Sequence, residues 1–275
     1  TPFGHAGEEA LNECMYLHGG FDHNIQTLRI VNILETKYYN FKGLNLSLET
    51  IDGLVKHNGP VYEPKKFESI LGKNFFKNMI DYKKNASLEA QLASISDDIA
   101  YNSHDLEDGL RANLYEIEDL KNISILSEII NKNKKFKRIK GTELVIRQMI
   151  RDIINEMVKD VITNTKSNIK KKKIKNIKDI YNNKDLLVKF SKNMNDFDIE
   201  IKSFLREKMY FSKNVIKKTN MGKKIINYLF LKIKKNPSKF INKKNYKKNT
   251  LERNICDFIA GMTDRYAINL YNSLK

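Results

Sequence analysis

Apolar residues recur at helical spacing along most of the chain. The clearest stretch runs from Ser87 to about Asn113. At 100° per residue, Leu88, Leu92, Ile95, Ile99, Leu106 and Leu110 form one narrow stripe. The opposite face carries Asp97, Tyr101, His104, Asp105 and Asp108, spaced i, i+4, i+7, i+8 and i+11. Toward the N-terminus, the pattern predicts a helix over Gly7–Leu17 that stops at Gly19-Gly20. Asp22 then caps a helix from His23 to Tyr38, with Ile25, Leu28, Val31 and Leu34 on its apolar side. Ser47 opens a third helix, which ends before Gly59-Pro60. Residues 61–85 mix Pro, Gly and aromatics and read as short helices with loops. Further helices are expected over about 116–131, 142–166, 176–190, 195–210, 213–235 and 250–273. No segment shows a convincing period-two alternation, and there are no repeats. The fold class is therefore all-α, a helical bundle.

Composition agrees. The 275 residues include only 4 Pro and 12 Gly, and no Trp. No apolar run approaches the roughly 18–20 residues that span a bilayer, and no signal peptide is legible. Cys14 and Cys256 are too few and too distant in sequence for a disulfide framework, so a reducing cytoplasm is the expected location.

Charge adds a division that hydropathy does not show. Residues 1–130 carry 12 Lys+Arg against 20 Asp+Glu, a net of −8; residues 131–275 carry 38 against 13, a net of +25. All five histidines lie in the acidic part. The expected organisation is an acidic core over 1–130, where proton and metal chemistry is confined, continuous with a lysine-rich helical region over 131–275. Such a region attracts polyanions, triphosphates or single-stranded nucleic acid among them. It also reads as a solvated surface whose Lys and Asn excess reflects codon bias. Lys170–Lys173 falls between two expected helices, as an exposed helix end or loop.

The acidic part offers two constellations. His5 and Glu8, at i and i+3, share a helix face, so the carboxylate can orient the imidazole as a general acid. His23 follows at the start of the next helix. On the later helix, Asp97, Tyr101 and Asp105 make a ladder in which one rung could bind a metal and the others a sugar. The alternative is a solvated acidic face, because repulsion between carboxylates at this spacing is small. His57 and His104 read as helix-end or surface residues, and His18 as structural.

The strings Pro2-Phe3-Gly4-His5-Ala6-Gly7-Glu8, Gly19-Gly20-Phe21-Asp22-His23-Asn24-Ile25-Gln26-Thr27-Leu28-Arg29 and Asp97-Asp98-Ile99-Ala100-Tyr101-Asn102-Ser103-His104-Asp105 closely resemble the HD-domain deoxynucleoside triphosphate triphosphohydrolases, specifically their bacterial deoxyguanosine triphosphate triphosphohydrolase-like branch. Gly43-Leu44-Asn45-Leu46, Val55-Lys56-His57-Asn58-Gly59-Pro60 and Ile259-Ala260-Gly261-Met262-Thr263-Asp264-Arg265-Tyr266 also fit. The likeness is dense over 1–113 and thin through the lysine-rich region.

This resemblance implies an all-helical fold and metal-dependent hydrolysis of a deoxynucleoside triphosphate to deoxynucleoside and intact triphosphate. The divalent metal, Mg²⁺ or Mn²⁺, would be held by a His, a His-Asp dipeptide and a distant Asp. The distant Asp is Asp97, with Asp98 ranked second. The other three ligands would precede Thr1, so the chain as it stands is expected to be an N-terminally truncated form unable to hold its metal. The resemblance makes His5 the catalytic His, Glu8 its partner and His23 a second active-site His. Tyr101 and Asp105 would read the deoxyribose, and Lys208 and Tyr210 would lie near the nucleotide. Lys56 reads as a phosphate contact or as an exposed helix-end lysine. Oligomers, often hexamers, are implied. The alternatives are a nucleotide- or nucleic-acid-binding protein without turnover, or an HD phosphohydrolase acting on another ester.

Overall fold

Short polar side chains start many of the helices. Ser47, Ser87, Ser191 and Thr263 each precede a helix and accept the backbone N–H of Thr50, Ala90, Met194 and Tyr266. Asp22 accepts from Asn24 and Ile25 in the same way, and Asn176 and Asp179 form a reciprocal capping box. The computed structural model describes residues 1–73, 75, 76, 78–132, 142–241 and 251–275. Within them the chain is helical, with no strand. No described helix is long and apolar enough to cross a membrane.

The chain forms two compact units. Unit 1 contains residues 1–56, 61–83 and 216–275. Its helices are α1 (Gly4–Cys14), α2 (His23–Arg29), α3 (Leu48–Val55) and α4 (Lys65–Leu71). Unit 2 contains residues 57–60 and 84–215, with α5 (Leu88–Arg111), α6 (Ser124–Lys132), α7 (Thr142–Lys171), α8 (Ile177–Asn182) and α9 (Lys192–Leu205). The chain returns to unit 1 along α10 (Lys213–Lys235), then α11 (Leu251–Ala260) and α12 (Asp264–Leu274). The change of charge near residue 130 does not coincide with this division: acidic and basic segments contribute to both units.

Unit 1 has two apolar clusters. Leu11, Met15 and Phe21 pack with Ile226, Leu229 and Ile259, joining the beginning of the chain to its last helices. Ile25 and Leu28 pack with Ile51, Val55 and Ile70. Burial of this kind stabilises by about 1.5–3 kcal/mol per large side chain. In unit 2, α5 packs on α7 and α9 around Leu106, Met149, Ile153 and Phe197, all fully buried.

The helix expected over 116–131 is a 3-10 turn over Asp119–Asn122 followed by α6, and three others also differ from those observed. The second ends at Leu34, not Tyr38, after its last turn widens into a π-turn over Ile30–Leu34. The helix expected over 176–190 stops at Asn182. Beyond it, buried Gln91 accepts the N–H groups of Leu187 and Val188, and Asn164 and Asn168 donate to the carbonyls of Lys189 and Leu187. Those bonds satisfy the backbone without a helix. The last expected helix is two, because the Thr263 cap starts α12 afresh after Gly261. The basic run Lys170–Lys173 lies at the exposed end of α7, and Lys172 pairs with Asp185 at 2.7 Å. Leu92, placed on the apolar stripe of α5, is about half exposed, while Ile95, Ile99, Leu106 and Leu110 are buried as expected.

Candidate active site

In unit 1, the string Pro2-Phe3-Gly4-His5-Ala6-Gly7-Glu8 forms a tight entry to α1. Phe3 and Gly4 both take left-handed backbone angles, φ 63° and 55°. The carbonyl of Pro2 then lies against Gly7, where an added Cβ would meet its oxygen at 1.8 Å. Gly7 is required by that approach rather than by its own backbone angles. The turn leaves His5 exposed on the first turn of α1.

Glu8 lies one turn on and reaches toward α2. Its Oε1 accepts the backbone N–H of His23 at 3.0 Å and lies 2.8 Å from His23 Nδ1. Glu8, expected to partner His5, is in contact with His23, an ion pair whenever the imidazole is protonated. His23 is just over half exposed, with its ring available to a ligand.

The start of α2 is held from several sides. Lys66 binds the Asp22 cap at 2.7 Å. Partial burial alone would raise the Asp22 carboxyl. The hydrogen bonds from Lys66 and the Ile25 N–H outweigh it and hold the group below the ordinary carboxylate value. Further along α2, Arg29 makes a two-pronged pair with Asp257 of α11, through Nε at 3.0 Å and Nη2 at 2.5 Å. Gln26 donates to the same carboxylate, and Arg29 also donates to the carbonyl of Ile70. The α2–α11 contact is nearly buried. The sequence assigned no role to Arg29, the last residue of the Gly19–Arg29 string, or to Asp257. A basic residue on an otherwise apolar helix face was the available signal.

Lys56 ends α3 and is buried, with its Nζ 2.6 Å from Asp52. It is not an exposed helix-end lysine, and its charge is already paired with Asp52.

In unit 2, the ladder on α5 is engaged. Tyr210, at the end of a π-turn over Arg206–Tyr210, donates its hydroxyl to the carboxylate of Asp105 and is also hydrogen-bonded to Tyr101. Burial, then the bond to Asp105, then that to Tyr101 push the Tyr210 phenol far above its usual range. It therefore stays protonated and donates. These three predicted residues meet although Tyr210 is more than a hundred positions from Asp105. Lys208, on the same π-turn, pairs with its neighbour Glu207 at 3.4 Å and is exposed.

Asp97 and Asp98 begin this face. Asp97 is well exposed and lies 3.7 Å from Nε2 of His57. Asp98 has Lys202 at 4.0 Å, and Lys202 in turn binds the buried Asp198 at 2.7 Å. His57 is thus placed beside the candidate metal-binding carboxylate, which its position near a helix end did not suggest. Among the described residues, no group of three or more His, Cys, Asp or Glu side chains could hold a metal ion. Asp97 with one imidazole falls short of the donor set of a divalent cation.

Residues 188–273 match the phosphohydrolase-associated domain, a span that contains Tyr210 and Asp257. A deoxyguanosinetriphosphate triphosphohydrolase-like protein of Pelagibacter ubique (strain HTCC1062) is 53% identical over 270 residues, covering 98% of this chain and 72% of that one. The chain belongs to the deoxyguanosinetriphosphate triphosphohydrolase-like family. Members from Bartonella tribocorum (strain CIP 105476 / IBS 506), at 41% identity over 294 residues, and Rickettsia bellii (strain RML369-C), at 37% over 280, match all of this chain and 71% and 72% of their own.

Proposed function

We propose that this protein hydrolyses deoxynucleoside triphosphates, dGTP or several dNTPs, to deoxynucleoside and intact triphosphate. The observation that carries the reading is the hydrogen-bonded group of Tyr101, Asp105 and Tyr210. It presents a carboxylate fixed by a phenol that cannot ionise at neutral pH, next to a half-exposed aromatic ring. A carboxylate so held accepts a hydrogen bond from the sugar 3′-hydroxyl. The Tyr101 ring packs against the 2′-carbon and excludes a 2′-hydroxyl. Rejection of an added hydroxyl by shape alone is worth about 10² in kcat/KM.

Proton handling falls to His5 and His23. His5 is exposed at the beginning of α1 and acts as general acid toward the departing 5′-oxygen. Glu8 holds His23 and orients that imidazole near a phosphate oxygen. Lys208, exposed on its π-turn, adds a point charge for the triphosphate; Lys56, closed onto Asp52, contributes less. Asp97 is the carboxylate proposed as a donor to a divalent cation. Its exposure beside His57, against the engagement of Asp98 by Lys202, supports Asp97 over Asp98.

The test is product analysis. The protein as the cell makes it is incubated with each dNTP and Mg²⁺ or Mn²⁺, and products are separated by anion exchange. Triphosphate and deoxynucleoside in equal amounts are expected. Pyrophosphate or inorganic phosphate as the sole anion would refute the proposed bond cleavage. Binding without any product would favour a nucleotide-binding protein.

A further inference from the structure

The exposed His5 depends on a backbone turn that is costly by itself. Phe3 stands at φ 63°, a left-handed angle that bulky residues rarely adopt. Such a residue persists only where its surroundings over-determine it, often at a functional site. Two residues far away in sequence supply that constraint, and all three lie in unit 1. The carboxylate Oδ1 of Asp264 accepts the backbone N–H of Phe3 at 2.9 Å. Gly222, on α10, leaves the room that the Phe3 side chain occupies: a Cβ added there would meet Phe3 Cβ and Cγ at 2.8 Å.

From this we infer that Asp264 is a positioning residue for His5, with Gly222 as its steric counterpart. The inference rests on the reading of His5 as the proton donor. The bond matters because Phe3 immediately precedes α1, whose second residue is His5. Losing it frees the Phe3 peptide to leave the left-handed region, which turns the first residues of α1 and moves the imidazole. Asp264 stays in place because it begins α12 just after the Thr263 cap. A carboxylate at a helix N-terminus is also favoured by the helix dipole. The motif Gly261-Met262-Thr263-Asp264 therefore has a physical role: it ends one helix, caps the next, and offers an acceptor to the turn bearing His5.

The experiment compares Asp264→Ala, Asp264→Asn and Gly222→Ala in the protein as the cell makes it. It reads kcat and KM for dGTP together with ring signals of the five histidines by ¹³C–¹H NMR, assigned by single His→Gln variants. Asp264→Ala should lower kcat by about 10-fold to 100-fold, the effect of a small displacement of a catalytic group, and leave KM nearly unchanged. The His5 signal should shift while those of His18, His57 and His104 stay. Asp264→Asn keeps a carbonyl acceptor for the Phe3 N–H and should restore kcat to within a few-fold. Gly222→Ala should move the His5 signal as Asp264→Ala does.

An unmoved His5 signal with normal kcat in Asp264→Ala overturns the inference. So does a general change of all five signals in both Asp264 variants, which would make Asp264 structural only. Normal turnover in His5→Ala would instead refute the assignment of His5, and the His5 signal of Asp264→Ala would still decide whether the bond positions it.

Discussion

In unit 1, His5 and His23 stand in the first turns of two short helices, exposed, and are fixed by groups from elsewhere in the chain. In unit 2, Tyr101 and Asp105 sit well inside a 24-residue helix and are closed by Tyr210. The contrast suits the proposed division of labour. A group that delivers a proton must reach a substrate atom, so it stands at an exposed end and borrows its rigidity. A group that reads a sugar needs a fixed shape, which the middle of a long packed helix provides. Unit 1 therefore depends on distant anchors, Asp257 for α2 and Asp264 for α1, whereas the face in unit 2 depends on helical spacing and one partner.

Substitutions can break this contrast, and the largest effect is expected at His5. His5→Ala should lower kcat by about 10³, within the range of a general acid, and leave far-UV circular dichroism unchanged. A loss of similar size from Asp105→Ala expressed entirely in kcat would erase the distinction between the units. Next is the anchor of α2. Asp257→Ala strands Arg29, which is nearly buried, and should cost about 3 kcal/mol in urea unfolding. Tyr210→Phe should be milder, raising KM for dGTP by roughly 10-fold through loss of one charge-assisted hydrogen bond to Asp105.

The smallest effect is pH-dependent. The Asp22 carboxyl is lowered in the folded protein, so its contribution is present above 3.8, the ordinary value, and fades as pH falls through the lowered one. Lys66→Met should therefore destabilise unit 1 slightly at pH 7 and hardly at all near pH 2. Denaturant midpoints at both values check it, and an equal loss at both would remove the ion pair from the account.

The two regions were also unequally legible. Periodicity alone placed α5 within a few residues and put Asp97, Tyr101 and Asp105 on one face, because those relations are local. Tyr210 was placed near the nucleotide only through resemblance, and no spacing rule connects it to Asp105. In unit 1, the tight entry to α1 was visible as a string, but its cause was not. Gly7 is explained by the Pro2 carbonyl and Gly222 by Phe3, both contacts that exist only after folding. Helical spacing paired Glu8 with His5; its contact with His23 comes from the way α2 enters, which spacing does not show. The asparagines, read as compositional bias, include Asn164 and Asn168, which hold a non-helical segment that periodicity took for helix.

If recognition of the sugar and handling of the proton are divided between the units, the ratio of kcat/KM for dGTP over GTP separates them in Tyr101→Ala and His23→Ala. Tyr101→Ala should lower this ratio by up to about 10² while kcat for dGTP stays within a few-fold. His23→Ala should lower kcat for both nucleotides alike and keep the ratio. A preserved ratio in Tyr101→Ala together with a collapsed one in His23→Ala would contradict that division.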